Sequence, residues 1–416
     1  MSPSHAWRPT AEQNLLLQAL LHPDDDRAAA AIRGWQSCVD LETLDFGSYR
    51  LLPLLWKRIG SQGWDLPERD LIKGVYRRTW YANHLQLSRL AEITKRLQEV
   101  NCASIWLKGA ALIVQCYDDL GVRPMDDVDL LVQPGQARIA INSIVDAGWN
   151  PSPTPLTVSR TSNPRNLPLW IQSSRPRSMF DEAYFSARHG HGFSKENACN
   201  LDLHWRLMQE FEKPLLEENC WSDPDRGKWR NAEILLPNPV CHLFFLLLHG
   251  CRWNPTPAIR WVADAMTLIR SQGERLDWVR FHEFACAGNV CQVLYPMLSY
   301  LHQDLDAPIP QDCLIALKNQ VSSRKSKRCW DILQRPPKLS AALLELALLR
   351  SRFRQHRQAL GAKAQPGSFP AYVRHCLGAP DMSSLASFAV KELICRAVSR
   401  NAVNITGSIN SDEPRS

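Results

Sequence analysis

Two aspartates, Asp127 and Asp129, alternate with the apolar residues Val128 and Leu130. Alternation with a period of two is typical of a β-strand, and side chains two apart point to the same face of it. Two carboxylates would therefore stand side by side at the start of an apolar strand. Like charges at that separation repel, and one would take up a proton unless a cation neutralised them. The pair predicts a site for Mg²⁺ or Mn²⁺, which prefer oxygen ligands.

A third carboxylate follows the same pattern further along the chain. In the segment from Asn200 to Trp205, Leu201 and Leu203 share one face, and Asp202 shares the other with His204. If this strand lies beside the first, three carboxylates converge, and two metal ions roughly 3.5–4 Å apart could be held between them. His204 is then a hydrogen-bond partner of the carboxylates, a base on the acceptor side or a histidine of the core.

A glycine turn precedes the aspartate pair. Ser104 to Leu107 is a short apolar run that predicts a strand, and Ala110 to Tyr117 predicts a helix. Lys108 and Gly109 lie between them. Free backbone N–H groups and the helix dipole make such a turn a site for anions, and glycine allows a phosphate to approach the backbone closely. Lys108 could neutralise a phosphate or pair with Asp126.

These segments together resemble the polymerase-β-type nucleotidyltransferase superfamily, and within it a bacterial branch of uncharacterised nucleotidyltransferase family proteins. The resemblance covers residues 100–265 and rests on three motifs in the same order. They are Leu107-Lys108-Gly109-Ala110, then Arg123-Pro124-Met125 leading into Asp127-Val128-Asp129, then Asp202-Leu203-His204-Trp205.

The resemblance implies an α+β fold, a small mixed β-sheet flanked by large helical regions. It implies that Asp127 and Asp129 bind both metal ions, and that Asp202 binds the catalytic metal and helps to deprotonate the acceptor. Nucleotide, with ATP as one candidate, would be held at Lys108-Gly109-Ala110 and Arg123. The superfamily commonly has Gly-Gly or Gly-Ser at this turn, so that Ala110 removes one possible hydroxyl contact to phosphate.

The periodicity of apolar residues indicates how the rest of the chain is organised. We predict an N-terminal helical region over 1–100, a nucleotidyltransferase core over 101–236, a C-terminal helical domain over 237–400 and a disordered tail over 401–416. Within the core, residues 150–187 are rich in Pro, Ser, Arg and Asn and predict a loop-rich insertion.

Several helices are predicted individually, and two sets of charged residues each have two possible roles. The helices include 72–100, 137–147, 240–250, 279–304, 309–333 and 338–361. Arg260 and Asp264 form an Arg-Trp-x-x-Asp element that, by the resemblance, packs against the nucleotide cleft; an ion pair along one helical turn is the alternative. The arginines of the insertion either contact the triphosphate or acceptor or are plain surface charge: Arg160, Arg165, Arg175 and Arg177.

Composition excludes several classes of protein. Of 416 residues, 45% are hydrophobic and 22% charged, which is ordinary for a soluble globular protein. No run approaches the ~18 apolar residues that span a membrane, and the first residues lack the apolar core of a signal peptide. Thirteen cysteines without a CxxC pair indicate reduced thiols, no zinc site and a cytoplasmic location.

The net charge of +7 includes two basic clusters, over 324–328 and 350–357. A solvated helix face or a docking surface for an acidic partner is the favoured interpretation. Nucleic-acid binding is the weaker one, because aromatic residues are not interleaved with the basic ones.

We therefore predict an enzyme that transfers a nucleoside monophosphate from an NTP to an acceptor hydroxyl or phosphate by two-metal catalysis. The acceptor is open: a small molecule, a sugar, a protein or tRNA. One alternative is a regulatory or scaffold protein that binds Mg-nucleotide without turnover. Another is a toxin-like enzyme that nucleotidylates tRNA or a protein.

Overall fold

The structure, a computed structural model, describes residues 7–152, 178, 180–195, 200–208, 210, 215–254, 259–336, 339–360 and 367–390. Most of the predicted insertion, its four arginines and the predicted tail over 401–416 lie outside these residues. Contacts divide the chain into two compact units. One comprises Met1–Asn150 with His189–Arg335, and the other Pro151–Arg188 with Pro336–Ser416. The predicted boundaries near residues 100 and 236 remain a prediction.

One mixed sheet of seven strands is the centre of the described fold, in the order β3-β4-β5-β2-β1-β7-β6. The strands are β1 (Ser104–Leu107), β2 (Asp127–Val132), β3 (Asn150–Pro151), β4 (Gly190–Ser194), β5 (Asn200–His204), β6 (Asp225–Trp229) and β7 (Ala232–Leu236). The central strand β2 pairs antiparallel with β1 and parallel with β5. The α+β class with a small mixed sheet is confirmed, and so is the placement of the Asp202 strand beside the Asp127 strand.

The sequence analysis did not predict the hairpin of β6 and β7. Its strands pair antiparallel, and Arg230 in the turn has φ 50°. The alternation of side chains over β6 includes charged residues on both faces and a glycine, which hides the strand pattern.

Helices precede the first strand, as predicted. They are α1 (Ala11–Leu21), α2 (Asp25–Cys38), α3 (Phe46–Tyr49), α4 (Leu52–Gln62) and α5 (Arg69–Glu99). The Asp24 side chain accepts from the backbone N–H groups of Asp26 and Arg27 and so caps α2. The buried Thr94 hydroxyl of α5 accepts from the Trp106 indole of β1 at 2.8 Å, which fixes the long helix to the sheet.

The remaining helices alternate with or follow the strands. They are α6 (Lys108–Leu112), α7 (Ala137–Asp146), α8 (Glu182–Ala187), α9 (Leu215–Ser222), α10 (Pro239–Gly250), α11 (Arg260–Gln272), α12 (Trp278–Ala287), α13 (Cys291–Leu305), α14 (Gln311–Asn319), α15 (Arg324–Leu333), α16 (Leu339–Leu360) and α17 (Phe369–Leu377). A π-helical turn, Ile113–Tyr117, extends α6.

Two predicted helices are each divided in the structure. The prediction over 279–304 is wrong in its middle, where α12 ends and Asn289 adopts a left-handed φ of 56°. The prediction over 309–333 is interrupted between α14 and α15, where the Ser323 side chain caps the second helix. Apolar spacing continued across both breaks, and such spacing alone does not reveal a helix-to-helix corner.

The second unit, taken by itself, contains α8, α16 and α17. The Ser186 and Tyr372 hydroxyls lie 2.7 Å apart, and His375 lies 2.8 Å from a carboxylate oxygen of Asp181. Two arginines of the cluster over 350–357 lie over phenylalanine rings: Arg350 over Phe369 and Arg357 over Phe353, both in this unit. Nucleic-acid binding by this cluster remains a prediction.

The cysteine prediction is wrong for one pair. Cys220 of α9 and Cys241 of α10 form a disulfide, with Cα atoms 6.0 Å apart. The two helices pack together, which brings residues 21 apart in sequence into reach. Sequence spacing carries no signal for such a pair. Among the described helices, none combines the length and the hydropathy that crossing a membrane requires.

Candidate active site

The three predicted metal-binding aspartates meet on one face of the sheet. Asp129 of β2 is directly opposite Asp202 of β5, and Asp127 lies two residues before Asp129 on the same face. Asp129 is 2% exposed, whereas Asp127 and Asp202 are half-buried. Asp129, Asp202 and His204 each offer one possible ligand atom, and these three atoms lie within 4.8 Å of one another. Strand pairing therefore brings oxygen ligands together, and half-burial leaves two of them accessible.

Lys108 lies against this group rather than against Asp126. Its Nζ is 2.5 Å from Asp129 Oδ1, while Asp126 pairs with Arg50 at 2.7 Å. Lys108 has φ 44°, in the left-handed region that costs a non-glycine residue roughly 1–2 kcal/mol. The turn from β1 into α6 places this residue beside Asp129, because Leu107 is opposite Asp129 in the register.

His204 is a hydrogen-bond partner of the central carboxylate. Its Nε2 lies 3.0 Å from Asp129 Oδ1, and the residue is 6% exposed. Of the three roles considered for it, the structure favours this one. Because the same oxygen also contacts Lys108, two cationic or donor groups converge on Asp129.

The three carboxyl groups have pKa values that their surroundings displace in different directions. Burial by itself raises the pKa of Asp129, but Lys108 and His204 outweigh burial and hold that pKa well below its usual range. Burial and the neighbouring Asp129 charge raise the pKa of Asp127 to about 6. The same two causes raise the pKa of Asp202. Lys108 and His204 therefore outweigh burial at Asp129, whereas burial and repulsion prevail at Asp127 and Asp202.

Gly109 is required by close packing. A Cβ built at this position would lie 2.1 Å from Arg123 Nη1 and 2.7 Å from Met125 Sδ. Ala110, the next residue of the predicted phosphate-binding turn, is 1% exposed. The structure thus explains the glycine by contact with its own chain, and phosphate binding by this turn remains a prediction.

Arg123 forms a buried bidentate ion pair with Asp264. Its Nε and Nη2 donate to the two carboxylate oxygens at 2.7 and 2.8 Å, and the Tyr117 hydroxyl donates to Oδ1 at 2.9 Å. Asp264 is therefore bonded to the loop before β2. Arg260 instead donates to the Pro124 carbonyl, so the pairing of Arg260 with Asp264 along one helical turn is not what the structure shows.

A cavity of about 350 Å³ adjoins the carboxylate group. Lys108 lines it and also contacts Asp129, so that one side chain joins the two places. The other charged side chains of the lining are Arg50, Arg123, Asp126, Arg260 and Asp264. Apolar residues form much of the remaining wall: Phe46, Leu112, Phe245, Leu246 and Trp261. The volume and mixed lining are those of a site for a small molecule.

A family described as uncharacterised nucleotidyltransferase matches residues 48–306, more than half of the chain. The chain belongs to this nucleotidyltransferase family.

The chain is similar in structure to an antigenic nucleotidyltransferase-like protein from Paracoccidioides brasiliensis, with 12% sequence identity and a TM-score of 0.33. The similarity covers 59% of this chain and 97% of that one. No curated protein matches the chain.

Two residues of this nucleotidyltransferase-family site were missed in the sequence. Arg50 belongs to the N-terminal helical region, outside the motifs, and nothing local indicates its contact with Asp126. The sequence does indicate His242, because it interrupts the most apolar segment of the chain. A polar residue buried in such a helix, here α10, is uncommon unless it has a specific partner.

A second group of metal-binding side chain types lies elsewhere in the described residues. His282 and Cys286 of α12 and Cys291 of α13 bring one ligand atom each within 4.8 Å of the others. The sequence prediction of no zinc site relied on the lack of a CxxC pair and did not consider this corner.

Proposed function

We propose that this chain transfers a nucleoside monophosphate from an NTP to an acceptor hydroxyl or phosphate, with Asp127, Asp129 and Asp202 as ligands of divalent metal ions. The observation that carries the proposal is the register of β2 and β5, which sets Asp129 opposite Asp202 with Asp127 on the same face. Membership of the nucleotidyltransferase family supports the same reaction class.

The residues present fit Mg²⁺ or Mn²⁺. Carboxylate oxygens are the ligands that these ions prefer. Lys108 pairs with Asp129, and the half-buried carboxylates of Asp127 and Asp202 can offer their oxygens to a metal ion. When bound, the ions would neutralise the phosphates and lower the pKa of the acceptor hydroxyl.

In the proposed reaction the acceptor oxygen forms a bond to the α-phosphorus, and the bond from that phosphorus to the β-phosphate oxygen breaks. Pyrophosphate leaves, and the hydroxyl proton passes to a carboxylate. Asp202 is the proposed base, because its carboxylate is half-buried and within reach of an acceptor, whereas Asp129 is buried and paired with Lys108.

The remaining predicted residues divide into two roles. Lys108 neutralises Asp129 and is close enough to the cluster to contact a phosphate. Gly109 and Ala110 are proposed to approach the phosphates through their backbone. Arg123 is predicted to contact nucleotide, and its contacts with Asp264 favour a positioning role: it holds the loop before Asp127 and packs against Gly109.

One observation favours the alternative of nucleotide binding without turnover. The Lys108 ammonium already lies 2.5 Å from Asp129 Oδ1, where it neutralises a carboxylate that a metal ion would otherwise neutralise. In that alternative, a regulatory or scaffold protein, the site binds Mg-nucleotide and transfers nothing.

The test is calorimetric binding of ATP, GTP, CTP and UTP with and without Mg²⁺. The double variant Asp127→Asn/Asp129→Asn is compared with the wild type, and Asp312→Asn, an exposed aspartate of α14, serves as the control. Binding that needs both Mg²⁺ and the two aspartates supports the proposal, and release of pyrophosphate then separates transfer from binding alone. Binding of NTP by the double variant as tight as by the wild type contradicts it.

A further inference from the structure

The corner between α12 and α13 brings together an imidazole and two thiols that the proposed function does not use. His282 and Cys286 are four residues apart on α12, so their side chains share one face of that helix. Cys291 is the first residue of α13. Each of the three residues offers one ligand atom for a metal ion, and these atoms lie within 4.8 Å of one another.

The backbone of the corner fixes the position of Cys291 relative to α12. Asn289 has a left-handed φ of 56°, and its N–H donates to the Cys286 carbonyl at 3.0 Å. The Ser326 hydroxyl of α15 donates to the Asn289 carbonyl at 2.7 Å, so the corner is also held by a neighbouring helix. The approach of the two sulfurs is therefore part of the turn between the helices and does not depend on one side-chain rotamer alone.

The distances between the three atoms agree with those of a tetrahedral zinc site. The Sγ atoms of Cys286 and Cys291 are 3.7 Å apart, and His282 Nε2 lies 3.3 Å from Cys286 Sγ. Zinc bonds of about 2.3 Å to sulfur and 2.0 Å to nitrogen give a tetrahedron with edges of about 3.8 Å between two sulfurs and about 3.5 Å between sulfur and nitrogen. The observed edges match these values to about 0.2 Å.

The contacts of this group differ from those of thiols elsewhere in the chain. Cys38 and Cys251 donate to the carbonyls of Gly34 and Leu248, at 3.3 and 3.2 Å. Such bonds satisfy a thiol within its own segment and indicate no ligand. The Cys286 sulfur instead faces a second sulfur and an imidazole nitrogen, which are the ligand types that Zn²⁺ prefers.

Burial within the group is uneven. Cys291 is fully buried, whereas His282 and Cys286 are half-buried and leave the group open to solvent on their side. Cys313 of α14 is a further thiol at this corner, but its Sγ contacts the Trp278 carbonyl at 4.0 Å and it is outside the group of three. Three protein ligands leave the fourth position of a tetrahedron to a water molecule.

We propose that His282, Cys286 and Cys291 bind a zinc ion, with water as the fourth ligand. The ion takes the place of the thiol protons, because the thiolate is the form that binds a metal. It joins the last turn of α12 to the start of α13 and stabilises the folded chain by linkage. This site does not rest on the proposed function, and it binds a thiophilic ion, whereas carboxylates suit Mg²⁺ or Mn²⁺.

The test titrates Co²⁺, a spectroscopic substitute for Zn²⁺, into the reduced full-length chain in the presence of excess Mg²⁺. Thiolate ligands give Co²⁺ a charge-transfer band in the near ultraviolet, and a tetrahedral site gives it intense bands in the visible range. Carboxylate ligands give no thiolate band, so that Co²⁺ at the aspartates is not counted. We expect one equivalent of Co²⁺ to produce both sets of bands, and one equivalent of Zn²⁺ to abolish them and to raise Tm.

Four variants identify the ligands. Cys286→Ser is the main one, because the residue is half-buried and serine is similar in size. It should weaken Zn²⁺ binding by more than about a hundredfold, since the loss of even an outer partner of a ligand costs about 10–100-fold. His282→Phe should also weaken binding while both thiols remain. Cys329→Ser, at a half-buried cysteine of α15, is the matched control, and it and Cys313→Ser should leave binding unchanged. Thermal melts in EDTA establish that each variant folds.

A second measurement needs no variant. Bound Zn²⁺ should slow the alkylation of Cys286 in the wild type, followed by mass spectrometry of peptides. Cys38 is exposed and is the internal control, because its rate of alkylation should be the same with and without Zn²⁺.

Several results would overturn the proposal. They are the lack of a thiolate band in the reduced wild type, equal Zn²⁺ binding by Cys286→Ser and Cys329→Ser, and alkylation of Cys286 that Zn²⁺ does not slow. A loss in Cys313→Ser as large as that in Cys286→Ser would overturn the set of three protein ligands with water. The double variant Asp127→Asn/Asp129→Asn should keep the full thiolate band, so that failure of the proposed function and failure of this site are seen separately.

Discussion

Asp129 and Asp202 are direct neighbours across the parallel pair β2 and β5, and the Lys108 ammonium forms its ion pair with Asp129. Two carboxylates of one cluster therefore have opposite pKa displacements: that of Asp129 is lowered and that of Asp202 is raised. Such a separation assigns different tasks to similar groups, because one stays ionised while the other can accept a proton.

The pH dependence of the metal effect follows from Asp127. Its pKa is raised to about 6, above the unfolded value, so its contribution to stability is present below about pH 4 and is lost as pH rises through about 6. Mg²⁺ binds the ionised carboxylate and should restore the loss. We expect the Mg²⁺-induced rise in Tm to be small at pH 5 and large at pH 7.5, measured by thermal melts with and without Mg²⁺.

The control is Asp127→Asn, in which the pH dependence should shrink to the part that the raised pKa of Asp202 contributes. A rise in Tm that is equal at the two pH values in the wild type would contradict the assignment of Asp127 as a metal ligand.

Lys108→Met should destabilise the protein in EDTA and less so in Mg²⁺. The substitution leaves Asp129 buried without its ammonium partner, which costs about 2–4 kcal/mol in such a pair. Mg²⁺ can take over the neutralisation, so thermal melts should show a larger gain from Mg²⁺ than in the wild type. Lys57→Met is the control, since Lys57 is half-exposed and lies 3.9 Å from Asp119. An equal gain from Mg²⁺ in both variants would show that Lys108 and the metal do not share Asp129.

The pair of Arg123 and Asp264 should be among the costly ion pairs to break. Both side chains are at most 6% exposed, and the contact is bidentate. Asp264→Asn leaves a buried guanidinium without its counter-charge and should lower the free energy of unfolding by about 3–5 kcal/mol in urea titrations.

An exposed ion pair serves as the comparison for that loss of unfolding free energy. Arg89 and Glu92, three residues apart on α5, should lose less than about 0.5 kcal/mol on Glu92→Gln. Comparable losses in the two variants would mean that the buried pair contributes no more than a surface one.

Gly109→Ala should destabilise the protein by about 1–3 kcal/mol, because the added methyl group meets Arg123 and Met125. Gly74→Ala is the matched control: it lies inside helix α5 and a Cβ there has no neighbour within 4 Å. That variant should instead gain about 0.5–1 kcal/mol from helix propensity. The free energy of unfolding of both variants is measured by urea titration. An unchanged free energy in Gly109→Ala would show that Arg123 is free to move.

Local pattern determined much of this protein. Alternation identified the strands that contain Asp127, Asp129 and Asp202, and apolar spacing identified the long helix α5 and the buried helix α10. The side chain of a strand residue points to a face set by its position alone, so the shared face of the carboxylates is readable from the chain. Motif order was enough to indicate the family that the comparison confirms.

Only the tertiary structure decided which partners those residues have. Lys108 contacts Asp129 instead of Asp126, Arg123 bonds Asp264 over 141 positions, and the buried His242 bonds Gln115. Contacts between residues far apart depend on how whole helices and strands pack, and the periodicity of one segment contains no information about the segment that it will meet. The sequence alone thus indicated the chemistry of the carboxylates, while packing determined their pKa values and the shape of the cavity beside them.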